Sequence, residues 1–280
     1  MWARSLNNEK KTSRRGYLGF TVSAIAAGAA AGIVGYYGGQ LSAQGAVRDN
    51  VMIDGRVSLS SLVALVEGHI GSMMLTMDVL AMTDEVKSAN WDSMVTILEK
   101  FNESESPTVP SLAWFALPDG SYYAVGIGLT DKNIADRPYF PKVMAGESVL
   151  GDLVISRATG KKAMVAVVPV QNQGEIIGAL GTSIYLDRFS EILVEELTLP
   201  EDMVFYALNE EGYTALHSDT QYLLEEPDKM RSETLAAAVK EMMSSEEGKV
   251  TYQFEGFTKT VLFRKSPLTG WRVALGRRYK

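Results

Sequence analysis

The longest stretch without charge settles the first question about this chain. No Asp, Glu, Lys or Arg occurs between Arg15 and Arg48, whereas Arg4, Lys10, Lys11, Arg14 and Arg15 crowd the residues before it. Within the gap, GYLGFTVSAIAAGAAAGIVGYYGG (Gly16–Gly39) is long enough for a bilayer-spanning helix, which takes about 20 residues. Tyr17 at one end, and Tyr36 and Tyr37 at the other, suit the interfacial layers. Basic flanks stay in the cytoplasm. The expected layout is a cytoplasmic tail over residues 1–15, a transmembrane helix over 16–39, and the rest of the chain outside the cytoplasm. Gly28, Gly32 and Gly35 would let two such helices approach closely. A cleaved signal peptide is the rival reading. LSAQGA (Leu41–Ala46) offers small residues at a cleavage point, but the apolar run exceeds the usual ~7–15 residues of such a peptide. Both readings put the bulk of the chain in the same place.

Composition narrows the classes. Of 280 residues, 46% are apolar and 22% charged, enough for a full core in one large or two small domains. Acidic residues outnumber basic ones by 34 to 27, the opposite of the balance expected for a nucleic-acid partner. There is no cysteine, which excludes disulfides, thiolate catalysis and Cys-ligated metals.

A long helix follows the gap. Leu59, Val63, Val66, Ile70, Met73, Met77 and Leu80 step alternately by four and three residues, the ~3.5-residue repeat of a coiled-coil seam. Two readings stand, and both can hold at once: a helix packing on its own domain, and a homodimer seam. A second helix is expected over Trp91–Phe101, with Met94, Ile97, Leu98 and Phe101 inward, and SESPTVP (Ser104–Pro110) reads as a linker.

From residue 111 the texture changes to strands. SLAWFAL–PDG–SYYAVGI and KKAMVAVVPV–QNQG–EIIGALGTSIYL read as hairpins, followed by a helix over Asp187–Leu197. DMVFYALNEEGYTALH (Asp202–His217) opens a further strand–turn–strand unit. A helix is expected over Ser232–Met243, and three closing strands over VTYQFEGFTKTVLFRK and GWRVALG. WFALPDGSYYAV and FYALNEEGYTAL form a faint repeat, with Gly120 and Gly212 at the turns. Two copies of an antiparallel sheet flanked by helices give an α+β fold.

ADRPYFPKVM (Ala135–Met144) is the densest chemical stretch. Asp136 suits a helix N-cap, and Pro138 suits a first helical turn. Helix-start chemistry does not require Arg137, Tyr139 or Phe140. An arginine beside aromatic rings can fork onto a carboxylate inside a water-excluding pocket.

The order of membrane anchor, long helix, hairpin, DRPYF (Asp136–Phe140), SRATG (Ser156–Gly160) and TGWRVA (Thr269–Ala274) resembles the double Cache (dCache) sensor domains of bacterial and archaeal receptors. The resemblance covers roughly residues 45–278. It implies a sensor over 45–280: long helices over 45–104, a membrane-distal PAS-like module over 105–190 and a membrane-proximal one over 200–280. In that family small ligands such as amino acids, amines, organic acids or purines usually bind in the distal module. The resemblance carries a ligand-binding role to Arg137, Tyr139, Phe140, Tyr123, Ser156 and Ser183. The family's amino-acid pattern has acidic or aromatic residues where this chain has Val154, Ser156 and Ser183. The groups that would hold an ammonium are then missing, and the favoured ligand is a carboxylate-bearing metabolite held by Arg137.

Enzyme readings find little support. His69 and His217 are the chain's two histidines, and His217 with Asp219 is too small a set for a structural metal. TGKK (Thr159–Lys162) lacks the first glycine and closing hydroxyl of a phosphate loop, and no G-x-S-x-G elbow occurs. No enzyme activity, metal or cofactor is expected. The sequence ends at GRRYK (Gly276–Lys280), without the cytoplasmic signalling region usual in the family. Three readings follow: a tethered sensor acting on a separate signalling protein, the sensing half of a longer chemoreceptor or kinase, or a ligand-free interaction module on the same fold.

Overall fold

The computed structural model describes residues 55–103 and 109–280. The basic tail, the Gly16–Gly39 span, the Leu41–Ala46 segment and most of the SESPTVP linker lie outside the described residues. The described residues form one compact unit.

Helix α1 (Gly55–Ala81) is the spine. The seven residues of the 3.5-residue stripe are all buried, and their cluster draws side chains from both sheets of the molecule. The stripe is therefore part of the domain's own core, and none of its seven residues is exposed to a second copy. Among the described residues α1 is the one helix long and apolar enough to cross a membrane by length and composition. Burial of its stripe against two sheets accounts for that apolarity. Short α2 (Asp84–Lys87) and α3 (Trp91–Glu103) follow, with Met94, Leu98 and Phe101 of α3 buried.

The first sheet has six antiparallel strands: β1 (Ser111–Ala116), β2 (Ser121–Ala124), β3 (Gly128–Asn133), β4 (Val149–Ile155), β5 (Lys162–Asn172) and β6 (Glu175–Tyr185), in the order β3-β2-β1-β6-β5-β4. Helix α4 (Phe140–Met144) lies between β3 and β4 in the chain, and α5 (Leu186–Leu197) follows β6. The second sheet is built from β7 (Met203–Leu208), β8 (Thr214–His217), β9 (Glu247–Phe254), β10 (Phe257–Lys265) and β11 (Arg272–Tyr279), in the order β8-β7-β11-β10-β9. Helix α6 (Glu233–Ser244) stands between β8 and β9, and its first turn is capped by the Ser232 hydroxyl, which accepts from the Leu235 amide at 3.2 Å. Without β3, both sheets follow the same connectivity. The faint sequence repeat is the shared opening hairpin of that plan.

Alternation along the strands sorts side chains onto two faces. In the first sheet, Ala113, Phe115, Met164, Val168, Leu180 and Ile184 turn to α1. Leu112, Trp114, Val165, Val167, Ala179 and Tyr185 turn to the other side, under the DRPYF segment and α4. The second sheet likewise turns Phe205 and Trp271 to α1, and Tyr206, Val261 and Phe263 to α6.

Candidate functional site

The face of the first sheet that turns away from α1 carries the candidate site. Two consecutive turns build its rim. The Arg137 amide donates to Ile134 O at 3.0 Å, and the Phe140 amide donates to Arg137 O at 3.0 Å. Helix α4 begins only at Phe140, with Tyr139 at its N-cap position and Pro141 in its first turn. Asp136 is therefore not the helix cap expected from the sequence, and Pro138 lies in the turn ahead of the helix. The Asp136 carboxylate instead receives a bidentate fork from Arg157, Nη1 to Oδ1 at 2.7 Å and Nη2 to Oδ2 at 2.8 Å. That fork holds the Asp136 carboxyl below the usual carboxylate range. Arg157 also donates to Asn133 O.

Arg137 makes the reciprocal stitch, its Nη2 donating to Ile155 O at the end of β4 at 2.7 Å. Two arginines thus cross between the DRPYF loop and the SRATG turn. Arg137 is half-buried and keeps four of its five N–H donors out of that bond. Its field and that of Arg157 reach Tyr139 and Tyr122. Burial pushes the Tyr139 phenol up to about 12, against the pull of Arg137.

The remaining candidates divide. Tyr139 and Phe140 are buried in the aromatic cluster on this face. The Ser183 hydroxyl accepts from Trp114 Nε1 at 3.2 Å and so sits under the indole. Ser156 is buried, and its backbone closes the SRATG turn by donating to Lys161 O at 2.8 Å and accepting from Gly160 N at 2.7 Å. Tyr123 goes elsewhere. It alternates with Tyr122 and Ala124 along β2, and its ring stacks on Trp91 of α3 at 5.1 Å, on the opposite face of the sheet.

Two residues of the candidate site were not read from the sequence. Arg157 lies inside the SRATG motif, but its pairing with Asp136 joins residues 21 apart, a distance that local spacing does not reveal. Asp152 was hidden by a β-bulge. The register of β4 against β5 shifts between Leu150 and Asp152, and Gly151 has φ +95°. The extra residue turns Asp152, the partner of Val165, onto the aromatic face. Burial raises the Asp152 carboxyl, with Lys142 opposing, and its field reaches Tyr139. The face therefore holds a half-buried carboxylate that the motif comparison counted as missing.

The aromatic face is filled in this structure. Trp114, Tyr122, Tyr139 and Phe140 are each only 3–4% exposed. Trp114 lies flat on Gly181, where a Cβ would stand 2.3 Å from its Cζ2. Among the described residues, no group of three or more His, Asp or Glu is placed to hold a metal ion.

No family model and no curated protein matches the chain by sequence. Solved structures do match. An extracellular ligand-binding receptor from Desulfohalobium retbaense aligns over 81% of this chain with a TM-score of 0.64 at 16% identity, and the chain spans 41% of that receptor's length. The sensor domain of the V. cholerae histidine kinase DctB aligns over 80% of this chain and 96% of its own, with a TM-score of 0.60 at 13% identity. The ligand-binding domain of the Pseudomonas fluorescens chemoreceptor CtaA, solved with L-serine, aligns over 80% and 93%, with a TM-score of 0.57 at 17% identity. The resemblance to the double Cache sensors holds at the level of fold: a long apolar helix and two antiparallel sheets arranged as in the sensor domains of chemoreceptors and a histidine kinase.

Proposed function

We propose that the chain is a membrane-anchored, extracytoplasmic sensor. On this reading it binds a small carboxylate-bearing metabolite on the aromatic face of the first module and passes the change to a signalling partner. The carrying observation is Arg137, a half-buried guanidinium with one tethered N–H, beside Tyr139 and Tyr122. A guanidinium so placed offers a carboxylate two charge-assisted bonds at the rim of the aromatic face. Asp152 gives a second, oppositely charged anchor, which brings amino acids back among the candidates. The L-serine held by CtaA points the same way. Anchoring rests on the Gly16–Gly39 stretch, and the first module is taken as membrane-distal.

A homodimer through α1 belongs to this reading, on a different stripe from the one buried. Val57, Ala64, Leu75, Val79 and Met82 are exposed, and Ser61, Gly68 and Ser72 continue their line without a charge. Ligand closing the first module would shift the population of α1 positions, to the extent that the two states differ in affinity.

One observation favours a second reading, a ligand-free interaction module: the four rings that fill the face. Thermal unfolding of the full chain against carboxylates, amino acids, amines and purines decides between them. A ligand at a hundred times its dissociation constant adds about 2.7 kcal/mol. A shift that Arg137→Ala abolishes supports the sensor. A shift untouched by Arg137→Ala removes the arginine from the site, and no shift from any compound supports the interaction module.

A further inference from the structure

The second module holds three neighbouring donors without an acceptor in good geometry among the described residues, and one of them, Tyr222 Oη, is fully buried. Lys259 stands on β10 two residues from Val261, and so on the face covered by α6. It is 7% exposed. Its Nζ lies 5.0 Å from the centre of the Phe254 ring, and among the described residues it makes no ion pair and no hydrogen bond. Burial lowers its pKa.

His217, opposite Tyr206 in the β7–β8 ladder, shares that face. Its ring lies parallel to Tyr206 at 6.0 Å and tilts against Tyr222 at 4.8 Å. Nδ1 accepts from the Asp219 amide at 2.8 Å. The neutral ring therefore carries its proton on Nε2, a donor without an acceptor among the described residues. The field of Lys259 reaches this ring. The third donor is Tyr222 Oη, buried and without a partner in good geometry, with Glu255 the first carboxylate to act on it.

A buried hydroxyl without an acceptor, close to a mostly buried ammonium that has no ion pair, is costly to leave open. We propose that this cluster is a second ligand site, for a small monocarboxylate whose oxygens lie among Lys259 Nζ, His217 Nε2 and Tyr222 Oη. An open groove of about 980 Å³ adjoins the cluster through Tyr222 and Phe254, which stand in its wall. Met230, Phe254 and Phe257 in that wall suit a short apolar tail. Glu225, Glu233 and Glu255 line the same groove with a single arginine, Arg231, so the wall is net negative and repels a second negative charge. A monoanion fits, and a dicarboxylate does not. The site is independent of Arg137 and of the reading given to the first module.

The test is thermal unfolding of the full chain in detergent with propionate, and with succinate at equal ionic strength. Wild type and Arg137→Ala are expected to rise in Tm with propionate, with succinate bound about tenfold more weakly or not at all. Lys259→Met removes the cation at nearly constant volume, and a buried charge replaced by an apolar chain is tolerated. It should bind propionate about tenfold more weakly or worse, the loss of one charge-assisted bond. Tyr222→Phe, which deletes one hydroxyl, should weaken propionate too, and it decides the matter if Lys259→Met does not fold. The site is overturned if propionate fails to stabilise wild type, or if both Lys259→Met and Tyr222→Phe keep the full shift. It is equally overturned if Arg137→Ala loses the shift, which would place propionate in the first module.

Discussion

Gly151 in the first sheet meets Trp271, the residue just ahead of β11 in the second: a Cβ on Gly151 would stand 3.4 Å from the indole Nε1. Trp271 is 1% exposed and belongs to the core that α1 shares with both sheets. The same glycine makes the bulge that turns Asp152 onto the aromatic face. One residue thus joins the candidate site of the first module to the buried tryptophan of the second.

Gly151→Ala tests that joint. The Cβ would reach Trp271 at ordinary van der Waals distance, so a clash is not the main cost. The backbone decides: φ is +95°, a region an alanine enters only at a cost of roughly 1–2 kcal/mol. The expected outcome is a stability loss of that order by urea unfolding. A flattened bulge would also move Asp152 off the face, so affinity for an amino-acid ligand should fall while that for a simple carboxylate holds. Equal affinities for both ligands in mutant and wild type would separate the bulge from the site.

Gly181→Ala tests whether the indole of Trp114 closes the face. The added methyl would stand 2.3 Å from Trp114 Cζ2, which ordinary relaxation does not relieve. The ring must leave its seat on Ser183, and overpacking of this kind costs about 1–3 kcal/mol. Urea unfolding should show that loss, and tryptophan fluorescence should shift to the red as the indole meets water. A variant with wild-type stability and emission would mean that the ring has another place to sit.

What the sequence made legible is what repeats locally. The α1 stripe, the hairpins and α6 follow from period and turn chemistry within a few residues. Strands β3 and β4 did not. GLTDKN is an exposed edge strand with no apolar alternation, and the bulge at Gly151 breaks the period of two, so that Val149 and Val154 share a face although five residues apart. The same bulge hid Asp152. Asp136 looked like a cap because its sequence neighbours are helix-start residues, whereas its partner Arg157 comes from another segment. Lys259 was unreadable for a further reason. A lysine in an alternating strand is expected to point to water, and only the register of β10 puts it on the α6 face.

Single-cysteine crosslinking tests the dimer stripe, on a chain that has no cysteine of its own. Cysteines at Ala64 and Leu75, on the exposed line, should form disulfide-linked dimers in membranes. Cysteines at Val66 and Met73, which are 0% and 2% exposed, should not. Crosslinks at 66 and 73 alone would require α1 to leave its own core. No crosslink at any of the four would remove this helix from the dimer contact.

Two groups set opposite pH slopes, which gives a test of both sites without a ligand. Burial, helped by the charge of Lys259 and opposed by Asp219, lowers His217 from 6.5 to about 4. A depressed base binds fewer protons folded than unfolded between those values. Its contribution is constant above pH 6.5, and stability is lost as the pH falls from 6.5 towards 4, by up to about 3 kcal/mol. His217→Gln should flatten that limb of the urea-midpoint profile. Asp152 is the reverse case, because burial raises its folded carboxyl pKa above the unfolded value of about 3.9. Its carboxylate costs stability as the pH rises through that folded value, and nothing below the unfolded one. Asp152→Asn should therefore be the more stable protein at pH 7, with the difference vanishing below about pH 4. If Asp152→Asn is instead less stable than wild type at pH 7, the carboxylate has a partner in the folded protein and is not waiting for a ligand.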